Sequence, residues 1–119
     1  MKDSEPVLFR PGPGKHGMTD LHYAAYCGDL NALRHFLEVG SAVNAADTYR
    51  GYTATHWLTD MAAAGGSRVE MLKLLVQYGA DVNIKTPDGT TALLLAREAG
   101  SAEGDLLASM LIEFGALEN

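Results

Sequence analysis

The chain repeats itself, and no other property of it narrows the possible folds as much. Gly17, Gly51 and Gly89 open three similar segments, spaced 34 residues (51 − 17) and 38 residues (89 − 51), and Gly40, Gly79 and Gly115 close them in the same order. Between the glycines, Gly17-Met18-Thr19-Asp20-Leu21-His22-Tyr23-Ala24-Ala25 aligns with Gly51-Tyr52-Thr53-Ala54-Thr55-His56-Trp57-Leu58-Thr59. The third copy is Gly89-Thr90-Thr91-Ala92-Leu93-Leu94-Leu95-Ala96-Arg97. A second block recurs after each closing glycine: Gly40-Ser41-Ala42-Val43-Asn44, Gly79-Ala80-Asp81-Val82-Asn83 and a shortened Gly115-Ala116-Leu117. A unit of this length cannot bury its apolar face alone, so the copies must stack on one another.

Each copy reads as two short antiparallel helices followed by an extended finger. Thr19, Thr53 and Thr91 stand where a helix N-cap is needed, because a hydroxyl can accept from an unpaired first-turn amide. Gly28, the pair at 65–66 and Gly100 follow the first helices as stop positions. The second helices carry apolar residues at helical spacing: Leu30, Leu33, Phe36 and Leu37, then Val69, Leu72, Leu75 and Val76, then Leu107, Met110, Leu111 and Phe114.

These blocks resemble the ankyrin repeat, whose hallmark runs are Gly-x-Thr-Pro-Leu-His-x-Ala-Ala and Leu-Leu-x-x-Gly-Ala-Asp-x-Asn. The resemblance covers about residues 15 to 117. It implies an all-α solenoid of three helix-turn-helix repeats with β-hairpin-like fingers, divided at about 15–47, 48–85 and 86–119. It also implies hydrogen-bonded pairs of Thr19 with His22 and Thr53 with His56. Residues 1–14 are then an N-terminal extension, either a disordered tail or a cap in which Val7, Leu8 and Phe9 cover the first repeat.

The chain departs from the family pattern in several places. Asp20, Ala54 and Ala92 stand where the family has proline, Leu58-Thr59 replaces the small Ala-Ala pair, and Leu94 replaces the histidine. From the histidine position to the closing glycine the distances are 18, 23 and 21 residues (40 − 22, 79 − 56 and 115 − 94). Copies two and three therefore carry extra residues, placed around Ala62 to Gly66 and Gly100 to Gly104, as longer loops or a longer first helix.

Catalytic and metal-binding patterns are missing from the sequence. Gly12-Pro13-Gly14-Lys15 has no hydroxyl after the lysine and no strand before it, so it is not a phosphate loop. His16, His22, His35 and His56 lack the spacing that brings two ligands to one metal. Cys27 has no base beside it and reads as a partly buried structural thiol. The expectation is a protein with no enzymatic activity, metal or cofactor. A net charge of −6 argues against nucleic acid, and no apolar run is long enough to span a bilayer. A single cysteine and the lack of a signal-like N-terminus make the cytoplasm the expected compartment.

What remains is recognition of another protein. The resemblance implies a concave surface made by the finger tips and the exposed side of the first helices. Carried over by position, the tips hold Lys15, His16 and Met18, then Tyr49, Arg50 and Tyr52, then Lys85, Asp88 and Thr90; the first helices add Tyr26 and Cys27, Asp60 and Met61, and Glu98 and Ala99. The candidate contact residues are Tyr49, Arg50, Tyr52, Met18, Tyr26, Asp60, Lys85, Asp88 and Glu98. The second finger leads, since Tyr and Arg anchor interfaces most often, and it is one residue longer than the family spacing. The alternative is that Tyr49 and Tyr52 pack between fingers; Trp57 is read as core.

The segment from Thr86 onward is acidic and suits a basic partner. The expected function is a protein-protein interaction module that inhibits or regulates a partner, for example an immunity-type inhibitor of a bacterial toxin. The other reading is a structural protein self-associating through its apolar C-terminal repeat, helix Leu106 to Phe114; the chain itself is expected to be a monomer or weak homodimer.

Overall fold

The computed structural model describes residues 18–62 and 67–118. The expected N-terminal cap and the tip residues Lys15 and His16 lie outside the described residues. Six helices follow one another: α1 (Asp20–Cys27), α2 (Leu30–Glu38), α3 (Ala54–Asp60), α4 (Arg68–Gln77), α5 (Ala92–Glu98) and α6 (Ala102–Glu113). Helices α1, α3 and α5 pack side by side as one layer, and α2, α4 and α6 form the second. The described residues contain no strand; each finger is held by one hairpin-like backbone bond, Asp47 N–H to the Tyr52 carbonyl at 2.8 Å and Thr86 N–H to that of Thr90 at 2.9 Å.

The helix starts follow the threonines. Thr19 Oγ1 accepts from His22 N–H at 3.3 Å while His22 Nδ1 accepts from Thr19 N–H at 3.0 Å, and Thr53 with His56 repeats both bonds at 3.4 and 2.9 Å. Two orphan amides are satisfied at each start. In the third repeat Leu94 can return nothing, so Thr91 caps alone.

With Nδ1 accepting, each imidazole carries its proton on Nε2. His22 Nε2 reaches the Ala45 carbonyl of the following finger at 2.8 Å. His56 Nε2 is buried and makes no hydrogen bond, although carbonyls of Ile84 and Thr90 lie near enough to favour protonation. Burial dominates at both rings and pushes their pKa values below the ordinary histidine range. The unfolded chain therefore binds protons more readily than the folded one, and stability is complete above about pH 6.5 and falls as pH drops below it. Thermal melts between pH 7.5 and 5.5 should show this decline, and His22→Gln should flatten it; an unchanged slope would contradict the assignment.

The core is a single cluster between the layers, built from the expected second-helix residues Leu33, Leu37, Leu72, Leu75, Leu107 and Leu111 with Leu21, Leu58 and Leu93 from the first layer. Asparagine side chains join the repeats along the finger side. Asn44 donates to the Gly79 carbonyl at 3.1 Å and accepts from Asp81 N–H at 2.8 Å, and Asn83 does the same to Gly115 and Leu117 at 3.0 and 2.8 Å.

Copy three places its extra residues differently from expectation. Helix α5 has seven residues against eight in α1, whereas α6 has twelve against nine in α2. The second helix starts earlier rather than the loop or first helix growing. Gly104 makes this possible, since a Cβ there would stand 2.5 Å from the Ala96 carbonyl oxygen and 2.9 Å from Ala99 Cβ. In copy two, residues 63–66 lie outside the described residues.

Cys27 corrects a second expectation: it is exposed rather than partly buried. It is the last residue of α1, where the helix gives way to Gly28 in the left-handed conformation.

Candidate functional site

The second finger is organised by one buried carboxylate. Asp47 Oδ1 accepts from the amides of Tyr49 (3.1 Å), Arg50 (2.8 Å), Gly51 (3.0 Å) and Tyr52 (3.3 Å). Its Oδ2 accepts from Trp57 Nε1–H at 2.5 Å. The finger is thereby fastened to α3, and the Trp57 ring is fixed in place. Trp57 is core, as expected, and Tyr52 meets it with ring centroids 4.9 Å apart.

Gly51 is the point where the finger turns. Its φ of 74° is in the left-handed region, and an added Cβ would lie 2.4 Å from Pro87 Cδ in the third finger. Gly51→Ala should therefore destabilise by about 2 to 3 kcal/mol, combining backbone strain with a clash against a rigid ring. Gly89→Ala, with a similar φ and open space around it, should lose only about 1 kcal/mol. Urea unfolding of the two variants compares them, and equal losses would rule out the Pro87 contact.

Arg50 leaves the finger and folds back over α3. Its guanidinium carbon is 5.4 Å from the Tyr49 ring centre, 5.4 Å from Tyr52 and 5.7 Å from Trp57. Nη1 donates to the Tyr52 hydroxyl at 3.4 Å and stands 3.6 Å from Asp60 Oδ2. The Tyr52 hydrogen bond, chiefly, holds the arginine pKa above its ordinary value. Tyr26, from α1, meets the Trp57 ring edge-on at 5.4 Å.

These side chains enclose a groove of about 510 Å³ between the first and second repeats, which gathers Met18, Tyr26, Tyr49, Arg50 and Asp60 from the expected contact set. Tyr23, Trp57 and Met61 complete it. A second cleft of about 590 Å³ opens on the other side of Tyr49 and Arg50, toward Pro87 and Asp88. The two residues thus form a ridge between two depressions.

The Ankyrin repeat family matches residues 50–87. Over 82 residues, 69% of this chain, it is 37% identical to palmitoyltransferase AKR1 of Saccharomyces cerevisiae, covering 10% of that protein. An ankyrin repeat-containing protein of Schizosaccharomyces pombe is 36% identical over 75 residues, 63% of this chain and 33% of its own. This chain is an ankyrin-repeat protein. Protein phosphatase 1 regulatory subunit 12A of Mus musculus is 42% identical over 74 residues, 62% of this chain and 7% of its own. The chain spans about a tenth of the length of the palmitoyltransferases it matches. Ankyrin repeats are non-catalytic units that bind other proteins.

On the ankyrin frame the nine expected contact residues divide. Tyr49 is 54% exposed, and Arg50, Tyr26 and Asp60 are accessible beside it. Tyr52, expected on an exposed turn, is 8% exposed and borders the second cleft, and Met18 is also buried, at the floor of the groove. Tyr52 is buried because the Asp47 cradle draws the second finger down onto α3. Lys85 and Glu98 are exposed but line neither depression. Asp88 lines the second cleft, yet its carboxylate accepts from Thr86 Oγ1 and from Thr90 Oγ1 at 2.8 Å, bonds that hold it ionised below the usual carboxylate range.

Sequence reasoning missed Asp47, Tyr23 and the cradle. A buried aspartate five residues before a tyrosine carries no periodic signal. Among the described residues no three His, Cys, Asp or Glu side chains gather within reach of one metal ion, and no helix is long and apolar enough to cross a membrane.

Proposed function

We propose that this ankyrin array is a protein-binding module that regulates its partner by occupying the partner's surface, with the groove beside Tyr49 and Arg50 as the principal contact. One observation carries the reading: five of the nine residues chosen by position converge on one aromatic groove. Tyrosine, tryptophan and arginine anchor interfaces because they supply large contact area with little loss of freedom. The rings here are already held against one another, so little order remains to be imposed on binding.

A relative named as a regulatory subunit of a phosphatase favours regulation over passive scaffolding. The relatives' names give nothing for toxin immunity, and that finer reading is set aside. The domain limits, 15–119 with repeats at about 15–47, 48–85 and 86–119, and a cytoplasmic location remain part of this proposal.

The test is affinity capture from native lysate by the wild-type protein and by Tyr49→Ala/Arg50→Ala, with circular dichroism as the folding control. A partner lost by the double variant supports the groove. A partner held equally by both removes it from the interface.

A second reading, self-association through the C-terminal end, has one observation in its favour: Leu94, Ile112 and Leu117 are exposed there. Against it, Arg97 pairs with Glu118 at 2.8 Å at positions that hold buried Thr59 and Val82 in the second repeat. A polar pair at these positions disfavours burying this face against a second copy. A molar mass independent of concentration in solution would exclude the second reading.

A further inference from the structure

The two charges of the groove lie at different depths: the Arg50 side chain is 46% exposed and the Asp60 side chain 27%. An approaching partner therefore meets the cation first. Among the described residues that line the groove, Arg50 is the one cation. Asp60, at 3.6 Å from Nη1, is an ion-pair neighbour beyond hydrogen-bonding length. It does not make with Arg50 the two-pronged contact that a guanidinium favours.

The guanidinium is also held in place. Three rings surround it, and the Tyr52 hydroxyl accepts from it. A free arginine loses much side-chain freedom when it grips a carboxylate, whereas a stacked one has already lost most of it. The finger's additional residue, between Asp47 and Gly51, gives the loop the length to lay Arg50 across Trp57 and down to Asp60. Beside the charge, Tyr26 and Met61 offer an apolar wall.

Taking the groove as the partner site, we infer that it holds an extended partner segment in which an aspartate or glutamate lies next to an apolar residue, the carboxylate binding Arg50 and the apolar side chain resting against Tyr26 and Met61. The competing arrangement is a partner cation that displaces Arg50 from the rings and uses Asp60 as its counterion.

End-blocked Leu-Asp-Leu, Leu-Asn-Leu and Leu-Lys-Leu, titrated against the folded protein, separate the two. The readouts are the NMR shifts of Trp57 Nε1–H and Arg50 Nε–H. The aspartate peptide should move both signals and bind about tenfold more tightly than the asparagine peptide. Arg50→Lys keeps the charge without the planar fork, and should weaken the aspartate peptide by about tenfold. Asp60→Asn should strengthen it, because a repelling charge is removed.

A lysine peptide that shifts Trp57 and is weakened by Asp60→Asn would overturn the inference. So would the failure of all three peptides to shift either signal. If Tyr49→Ala/Arg50→Ala abolishes partner capture while no peptide binds, the groove remains the partner site and only its carboxylate chemistry falls. If the aspartate peptide binds and capture is unaffected, the chemistry stands and the groove's role toward that partner falls.

Discussion

Arg68→Met should lower the unfolding free energy by about 3 kcal/mol, and the melting temperature by roughly 15 °C for a domain of this size. Arg68 is 1% exposed, and its guanidinium donates to the carbonyls of Ala25 (2.9 Å), Tyr26 (3.0 Å) and Leu58 (3.0 Å). Those carbonyls belong to the C-terminal turns of α1 and α3, where helices leave acceptors unpaired and negative dipole ends gather. One side chain from α4 thus caps two helices in two repeats. Burial lowers its pKa, yet an arginine starts so far above neutral pH that it stays charged.

Replacing a buried charged network with apolar residues can be neutral when both partners are removed. Here the carbonyls remain, so methionine fills the volume but removes the arginine donor from all three, Ala25 keeping its bond from Gly28 N–H at 3.3 Å. Arg68→Lys has a smaller head that cannot span all three carbonyls and should recover only part of the loss. Urea and thermal unfolding measure both variants. A loss below about 0.5 kcal/mol for Arg68→Met, the level of an ordinary surface change, would show that the three bonds do not support the stack.

Asp47→Ala is the second large expected effect, about 3 kcal/mol of stability together with loss of partner binding. The substitution orphans four backbone amides and the buried Trp57 indole N–H, and hydrogen bonds to an ionised acceptor are the stronger kind. Without the cradle the finger keeps only the Tyr52 ring packing and the Arg50–Asp60 pair to hold it to α3, and Tyr49 and Arg50 lose their fixed positions. Asp47→Asn sharpens the test. Its oxygen can still face the amides, but its NH₂ then meets the Trp57 donor, so about half the stability loss is expected. The Trp57 indole proton followed by NMR should move in both variants. A stable Asp47→Ala protein with an unmoved indole signal would overturn this account.

The repeat architecture was legible because it is periodic. Thr19, Thr53 and Thr91 cap the helices their positions announced, and the leucines at helical spacing form the core. That Tyr49 and Arg50 stand together on the second finger was legible too, from residue types at a counted offset. Tyr52 and Met18 were legible as to place but not as to burial, because depth depends on tertiary packing; for Tyr52 it depends on where the finger lies, and Asp47 decides that. The extra residues of copy three were countable, but their placement in α6 was not, since it turns on how closely Gly104 lets that helix approach Ala96.

Arg68 shows the limit most clearly. It opens α4, where a cation is disfavoured by the helix's own dipole, so local rules count against it. The positions at the same distance from the closing glycine are Asp29, Arg68 and Gly104. Asp29 caps its own helix at Ala32 N–H, Arg68 reaches back to two others, and Gly104 clears space. By itself the sequence determined the repeat, its helices, their caps and their apolar faces, because each depends on residues within one or two turns of each other. The tertiary structure alone decided the Arg68 cap, the Asp47 cradle and the aromatic groove around Arg50, because each joins residues whose only relation is where stacking brings them.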